Sequence, residues 1–329
     1  MALAIFFSDV AAARDRLAPY IVPTPLLENT TLNDRVGRRI LIKPEVLQRT
    51  GSFKIRGALN RLLQLSDPEK HRGVVAFSSG NHAQGVAEAA RLLDIEATVV
   101  MPCDAPAIKL ANTRRSGAQV VLYHRQTGKR EEIAADLAAR RGAVLVPSFD
   151  DPAIIAGQGT VGLEIADQAA ALGLNPTCVV VPVSGGGLIS GIAVAMAKKC
   201  PKASILSAEP EGFDDTARSL CSGRQQVNRA LGGSICDALL APSPGELTFP
   251  IMRRYVSGGL VVSDDEVLAA MAFAWRELKL VVEPGGAVGL GAILAGRLPP
   301  GEGPVVVVLS GGNASPEMFA HAIEGGFEH

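Results

Sequence analysis

The chain has 329 residues, of which 47% are hydrophobic, and a formal net charge of −1. At roughly 100–200 residues per domain this is material for two domains or one large two-lobed unit. A charge so close to zero lacks the electrostatic footprint of a nucleic-acid or anionic-membrane binder, and one Trp and three Tyr are too few to stack single-stranded bases.

The five cysteines (Cys103, Cys178, Cys200, Cys221, Cys236) are odd in number and scattered. That pattern argues against a disulfide framework or a zinc cage and for a reducing compartment. The start, Met1 to Phe7, lacks a basic stretch and meets Asp9 at once, which makes a poor signal peptide. No apolar run reaches the ~20 residues of a membrane span. The expected location is cytoplasmic, with neither nucleic acid nor membrane as partner.

Taken in order, Asp9 to Tyr20 reads as a short amphipathic helix, and Val22-Pro23-Thr24-Pro25-Leu26 must be extended because each proline disfavours helix before it. Arg39 to Lys43 reads as a strand. Ser52 reads as the N-cap of a helix reaching about Leu65, with Ile55, Ala58, Leu59 and Leu62 at helical spacing. A βα rhythm follows. Strands are expected at 74–77, 97–101, 118–123 and 144–146, and helices at 83–93, 108–116 and 131–140. Past Asp150, helices are expected at 159–172, 187–198 and 264–278, and strands at 178–183, 204–208, 256–262 and 305–309. Alternation of this kind means an α/β fold with buried, mostly parallel sheets. No repeat of fixed period and no low-complexity linker is visible.

Lys54 falls in the first turn of its helix, where the positive end of the dipole repels a cation and favours the neutral amine. A neutral amine can form an imine with an aldehyde cofactor. A lysine in a first turn is nevertheless most often a solvated charge, so the residue alone does not decide. Three glycine-bearing loops each follow an apolar strand. Ser184-Gly185-Gly186-Gly187-Leu188 lets backbone amides converge before a helix and reads as a phosphate cup. It lacks the spacing of a dinucleotide fingerprint and the Gly-Lys-Ser/Thr ending of a nucleotide P-loop. Ser78-Ser79-Gly80-Asn81-His82 offers hydroxyls, an amide and an imidazole, with a plain N-cap as the simpler reading. Ser310-Gly311-Gly312-Asn313 sits at the carboxyl end of the last strand, where open α/β sheets bind ligands.

Ser52-Phe53-Lys54, Ser79-Gly80-Asn81-His82, the Ser184-to-Leu188 loop and Ser310-Gly311-Gly312-Asn313, in that order, resemble the serine/threonine dehydratase and serine racemase family. The similarity runs from Thr24-Pro25-Leu26 to Asn313. It implies a two-lobed, tryptophan synthase β-like fold of type II, each lobe an open, mostly parallel sheet flanked by helices. Residues 1–70 with 150–329 would form the large cofactor-binding domain, and 71–149 a small mobile one. The implied cofactor is pyridoxal 5′-phosphate, carried as an imine by Lys54, which would also be the base at the substrate's Cα. Phe53 would pack against the ring and Asn81 would bond its phenolic oxygen. Gly185, Gly186, Gly187 and Leu188 would bind the phosphate, and Ser310 would face the pyridine nitrogen. Ser52, Ser79 and His82 would line the substrate carboxylate, with Ser79 a second acid/base on the far face.

The implied activity is an ammonia-lyase converting a β-hydroxy amino acid, L-threonine or L-serine first, to a 2-oxo acid and ammonia. The alternatives are a serine or aspartate racemase, a 3-hydroxyaspartate dehydratase, or a binding protein without turnover; a homodimer is expected. In Glu209-Pro210-Glu211-Gly212-Phe213-Asp214-Asp215, spacing alone leaves a solvated acidic turn open. The resemblance implies a divalent cation held by Glu209, the Phe213 carbonyl and Asp215, and oxygen ligands suit Mg²⁺, Ca²⁺ or Mn²⁺. Arg130 falls where racemase-like relatives place an arginine for a second substrate carboxylate, although a solvated helix arginine is the simpler reading. Ser184 replaces a usual glycine, tolerable if its φ is negative. Ser234 to Leu239 departs from the family's Ala-Asp-Gly-Val, and the short tail after Asn313 puts allosteric control by isoleucine in doubt.

Overall fold

The computed structural model describes residues 3–78, 80–105, 107–124, 126, 128–230 and 232–325, with the backbone alone for Ala107 and Ile108. Among these residues the strands are β1 (Leu27–Glu28), β2 (Ile40–Pro44), β3 (Val74–Phe77), β4 (Ala97–Pro102), β5 (Gln119–Tyr123), β6 (Val144–Leu145), β7 (Cys178–Pro182), β8 (Ser204–Pro210), β9 (Gly258–Val262) and β10 (Val305–Leu309). They form a six-stranded sheet of order β1-β2-β10-β7-β8-β9 and a four-stranded sheet of order β5-β4-β3-β6. Only the edge pair β1–β2 is antiparallel; every other pairing is parallel. The smaller sheet is drawn from residues 74–145, and the larger from the chain on either side. This is the α/β architecture expected.

Strands β2, β7 and β10 are buried at every position, so both faces of the large sheet are covered by helices. In β2 this holds even for Lys43, whose Nζ donates to Glu164 Oε2 at 2.6 Å and to the Thr24 carbonyl at 2.6 Å. Beside it lies Arg56, fully buried on the Lys54 helix (Lys54–Leu62). Its guanidinium forks onto Glu45 (Nε to Oε2, 2.7 Å; Nη2 to Oε1, 2.8 Å) and onto Glu164 (Nη1 to Oε1, 2.6 Å). Two cations thus face two carboxylates in the interior and tie β2, the Lys54 helix and the helix Pro152–Ala171 together.

Several elements differ from expectation. The helix Pro152–Ala171 begins seven residues before the expected 159, because Asp151 caps it by accepting from the Ala153 and Ile154 amides. The glycines that obscured its start are packing devices. At Gly157 a Cβ would meet the Arg56 carbonyl at 2.6 Å, and on the helix Gly187–Lys199 a Cβ at Gly191 would meet the Ile155 carbonyl at 2.3 Å. Backbone therefore rests on backbone, a reason for glycine that periodicity does not reveal. The glycine-rich helix Pro284–Leu294, absent from the sequence reading, lies fully buried against β7, β8 and β10 up to Ile293. The helix expected over 264–278 runs to Phe273 and continues as a wider π turn through Leu278.

Removing Arg56 as Arg56→Met would leave Glu45 and Glu164 facing each other in the core. We expect a loss of about 3–5 kcal/mol in unfolding free energy by urea titration, the cost of breaking one side of a buried ion pair. A loss below about 1 kcal/mol, the scale of exposed pairs, would show the cluster to be dispensable.

Candidate active site

The site forms where the carboxyl ends of β7 and β10 meet the head of the Lys54 helix. Thr50 and Gly51 both have positive φ (64° and 69°), turning the chain sharply into Ser52. Ser52 is extended and pairs with Gly311 in an isolated antiparallel bridge, while the Phe53 amide donates to the Ser310 carbonyl at 3.1 Å. Ser52 is therefore not the helix N-cap; Phe53 occupies that position without a side-chain cap. The Ser52 Oγ is fully buried without a protein partner, and Ser52 is not among the residues that line the cavity described below. Lys54 is the first helical residue and donates from Nζ to the Ser148 carbonyl at 2.9 Å, with the Phe53 ring 5.2 Å away. Burial pushes its amine down to about 8, opposed by the negative charge of Glu283. Loss of hydration is the leading cause.

Opposite, Asn81 opens the helix Asn81–Leu92, and His82 is buried with Nε2 facing the Val146 carbonyl at 3.0 Å. Burial and the nearby Lys54 push the imidazole down to about 3, so it is neutral and donates to that carbonyl. Ser79 lies outside the described residues.

The Ser184–Leu188 loop turns into the helix Gly187–Lys199 through Gly186, whose φ of 92° is glycine's territory. A Cβ at Gly185 would overlap the Phe149 ring at 2.4 Å, so only bare backbone fits that bend. Ser184 has no positive φ, and its Oγ accepts from the Ala241 amide at 3.1 Å. The Gly185 carbonyl is held by Thr248 Oγ1 at 2.6 Å, and Asp150 Oδ1 accepts from the Leu247 amide at 2.9 Å.

A cavity of about 840 Å³ joins these parts: Lys54, Asn81, Gly185, Gly186, Leu188 and Ser310 all line it. Phe53, Gly187 and His82 line it as well. Arg130 opens the helix Arg130–Arg141, sits 5.7 Å over the Phe77 ring at the cavity wall and donates from Nε to Glu131. Ala238 and Leu239, part of the unusual 234–239 stretch, line the wall too.

Three charged groups in this cavity escaped the sequence reading. Glu283 is buried and accepts from Asn81 Nδ2, and Lys109 pairs with Asp237 at 2.8 Å. The visible signal for Glu283 was a lone carboxylate ending the apolar run Leu280-Val281-Val282, directly before Pro284. Lys109 and Asp237 are far apart in sequence and carry no local signal.

The proposed cation ligands lie elsewhere, where β8 meets the helix Asp215–Ser222. Glu209 is buried and accepts from the Thr216 and Ala217 amides, both at 2.8 Å. Asp215 Oδ1 accepts from Asn228 Nδ2, while its Oδ2 is buried without a partner. Burial, with the charge of Asp215 next, pushes Glu209 up to about 8, and burial pushes Asp215 up to about 6. Two ill-compensated carboxylates and an orphaned oxygen fit a cation. Among the described residues no group of three or more His, Cys, Asp or Glu could hold a metal, so such a cation would need main-chain or water oxygens as well.

The bare-amide bend, a helix N-terminus and a desolvated amine around one cavity fit an aldehyde-bearing phosphate ester. A family described as pyridoxal-phosphate dependent enzymes matches residues 17–311. The chain belongs to this family. It is 42% identical, over 97% of its own length and 96% of the other's, to the L-threo-3-hydroxyaspartate ammonia-lyase of Saccharomyces cerevisiae. A solved threonine deaminase, from an organism abbreviated T.th., superposes with a TM-score of 0.89 at 45% identity, covering 94% of this chain and 99% of that one. Serine racemase from Dictyostelium discoideum superposes with a TM-score of 0.87 at 37% identity, covering 95% and 99%. The chain is thus a pyridoxal-phosphate-dependent enzyme of fold type II with ammonia-lyase and racemase relatives.

Only the neutral amine attacks an aldehyde, and the neutral fraction grows as pH rises. With Lys54 at about 8, the rate at which the cofactor-free chain captures pyridoxal 5′-phosphate should climb with pH and level off above about 8. Stopped-flow absorbance checks this; an inflection near the ordinary lysine value of ~10.4 would contradict a desolvated amine.

Proposed function

We propose that this chain is an ammonia-lyase acting on a β-hydroxy amino acid, releasing a 2-oxo acid and ammonia. The observation that carries the reading is the desolvated Lys54 amine sharing one cavity with the Gly185–Leu188 bend and Ser310. Bound pyridoxal 5′-phosphate supplies an electron sink that acidifies the substrate's α-hydrogen. Lys54 would hold the cofactor, and its Nζ is the group that would take the substrate's α-proton. The amides of Gly185 to Leu188 and the helix behind them bind phosphate. Phe53 would pack against the cofactor's ring, and Asn81 would offer an N–H to its phenolic oxygen. The Ser310 hydroxyl would meet the ring nitrogen without the negative charge that would keep it protonated, which suits elimination. Ser52, with its unpartnered Oγ, binds the substrate carboxylate, and Ser79 and His82 complete that side. His82 acts by shape and hydrogen bonding, since it stays neutral across physiological pH. Residues 71–149 form the small domain that closes over the substrate, on a body of 1–70 and 150–329.

L-Threonine and L-serine need no more than this set. The presence of Arg130 in the cavity wall favours a second reading, 3-hydroxyaspartate, because its guanidinium fork can accept a distal carboxylate. The test is 2-oxo acid release from L-serine, L-threonine and L-threo-3-hydroxyaspartate by the wild type and Arg130→Leu. If the acidic reading holds, Arg130→Leu lowers kcat/KM for 3-hydroxyaspartate by about 10–100-fold, the worth of a charged hydrogen bond, and spares serine. A loss no greater for 3-hydroxyaspartate than for serine and threonine would overturn the acidic reading. No 2-oxo acid from any of them would sink the elimination reading.

Glu209, Asp215 and the Phe213 carbonyl hold a divalent cation in this reading. Mg²⁺, Mn²⁺ or Ca²⁺ should raise the melting temperature of the wild type. Asp215→Asn should abolish that rise without lowering the metal-free melting temperature, since it removes a buried, poorly compensated charge. A metal response that survives the substitution would place the cation elsewhere.

A further inference from the structure

Asn81 is the side chain the reading above aims at the cofactor's phenolic oxygen, and the structure determines how its amide lies. Asn313 Nδ2 donates to the Thr50 carbonyl at 2.8 Å, and a carbonyl can only accept, so this end of Asn313 is its nitrogen. The same nitrogen donates to Asn81 at 2.8 Å, which makes the facing atom of Asn81 its oxygen. Asn81 Nδ2 must then point the other way, and there it meets Glu283 Oε1. One of its two hydrogens is used by Glu283, and the second is left for the cavity.

Glu283 is itself held rigidly. Its amide donates to the Gly311 carbonyl at 3.0 Å, and its own carbonyl accepts from the Gly286 and Ala287 amides that begin the helix Pro284–Leu294. The side chain is 2% exposed and lines the cavity, and Oε2 has no partner in the protein. Four charged groups bear on one another here: Glu283, Lys54 from its helix, Lys109 from the helix Ala107–Arg115 and Asp237 from the short turn Asp237–Leu239. Lys109 is taken by Asp237 at 2.8 Å, so the Lys109–Asp237 pair is internally balanced. Glu283 Oε2 is then left without a protein partner in a cavity that Lys54 also lines, where the charges of Lys109 and, less strongly, Lys54 act on it.

We propose that Glu283 is a positioning residue of this site, fixing the Asn81 amide by accepting one of its two hydrogens and serving as counter-charge to Lys54. The proposal rests on the cofactor assignment above. It explains why a carboxylate is kept in a buried wall where an apolar residue would otherwise be favoured. Burial raises the Glu283 carboxyl to about 7, opposed by the charge of Lys109, so its counter-charge is present at neutral pH and above and fades below.

The experiment follows pyridoxal 5′-phosphate capture by the cofactor-free full chain against pH, with affinity from equilibrium titration and melting temperature as the fold control. Removing the anion makes the Lys54 ammonium harder to keep, so Glu283→Gln should move the capture inflection down by about 1 pH unit. Glu283→Asp, which keeps the charge, should leave it near the wild-type position. Because Glu283 acts on the cofactor through Asn81, Glu283→Leu, which removes the acceptor that a glutamine would keep, should weaken affinity about tenfold with Asn81 present and less than about twofold in an Asn81→Ala background. An unmoved inflection, or losses that simply add, overturns the proposal. Should Glu283→Gln fail to fold, Asn313→Ala reads the same network. It frees the Asn81 amide and keeps the charge, so affinity should fall while the inflection stays; unchanged affinity would refute the chain of bonds. Failure of the wild type to capture the cofactor overturns the cofactor assignment itself, and this proposal with it.

Discussion

The placement of Lys54 depends on a set of charges mostly shut off from solvent, with Lys43, Glu45 and Arg56 fully buried and Glu164 part-buried. Arg56, two residues along the same helix, is clamped between Glu45 and Glu164, and Lys43 of β2 closes the set. Each ion would be expensive to bury alone, so the four are stable only together and only in one arrangement. That arrangement joins β2, the Lys54 helix and the helix Pro152–Ala171. The same segment is pinned from the other side by the Ser52–Gly311 bridge and the Phe53–Ser310 backbone bond. Lys54 therefore reaches the cavity from a base that has little freedom to shift.

Around that fixed amine the cavity divides its chemistry by wall. The wall at the end of β7 offers uncharged amides at a helix N-terminus, suited to an anion. The wall at the end of β10 offers a hydroxyl, Ser310, and the Asn313–Asn81–Glu283 chain. The wall from the smaller sheet brings Arg130 and Lys109. Residues that follow strands of both sheets line this space, while the Lys54 base is held from the larger sheet's side. Such a division suits a family whose relatives include lyases and a racemase: a shared anchor with walls that can vary.

The strands were legible in the sequence, since runs such as Val305 to Leu309 can hardly be anything but buried parallel strands. The turn at the three consecutive glycines before a helix was legible for a similar reason. Elements were hidden where glycine serves packing instead of turning. The start of the helix Pro152–Ala171 and the whole of Pro284–Leu294 were hidden in this way. Ser52 was misread because a hydroxyl before a helix looks like a cap, whereas here its backbone is committed to Gly311. Burial, invisible in a linear string, is a cause of the depressed Lys54 amine that the sequence did not offer.

What the chain's residues determined unaided was the class of fold, the glycine bend before a helix and the family, because each rests on short stretches whose local physics is self-sufficient. What only the folded chain decided was partnership between distant residues. Asn81 with Glu283, Lys109 with Asp237 and Arg56 with Glu164 are separated by 202, 128 and 108 positions. Hydration, charge balance and the direction of an amide are properties of such pairs, and they come into being only when packing removes water and brings the partners together.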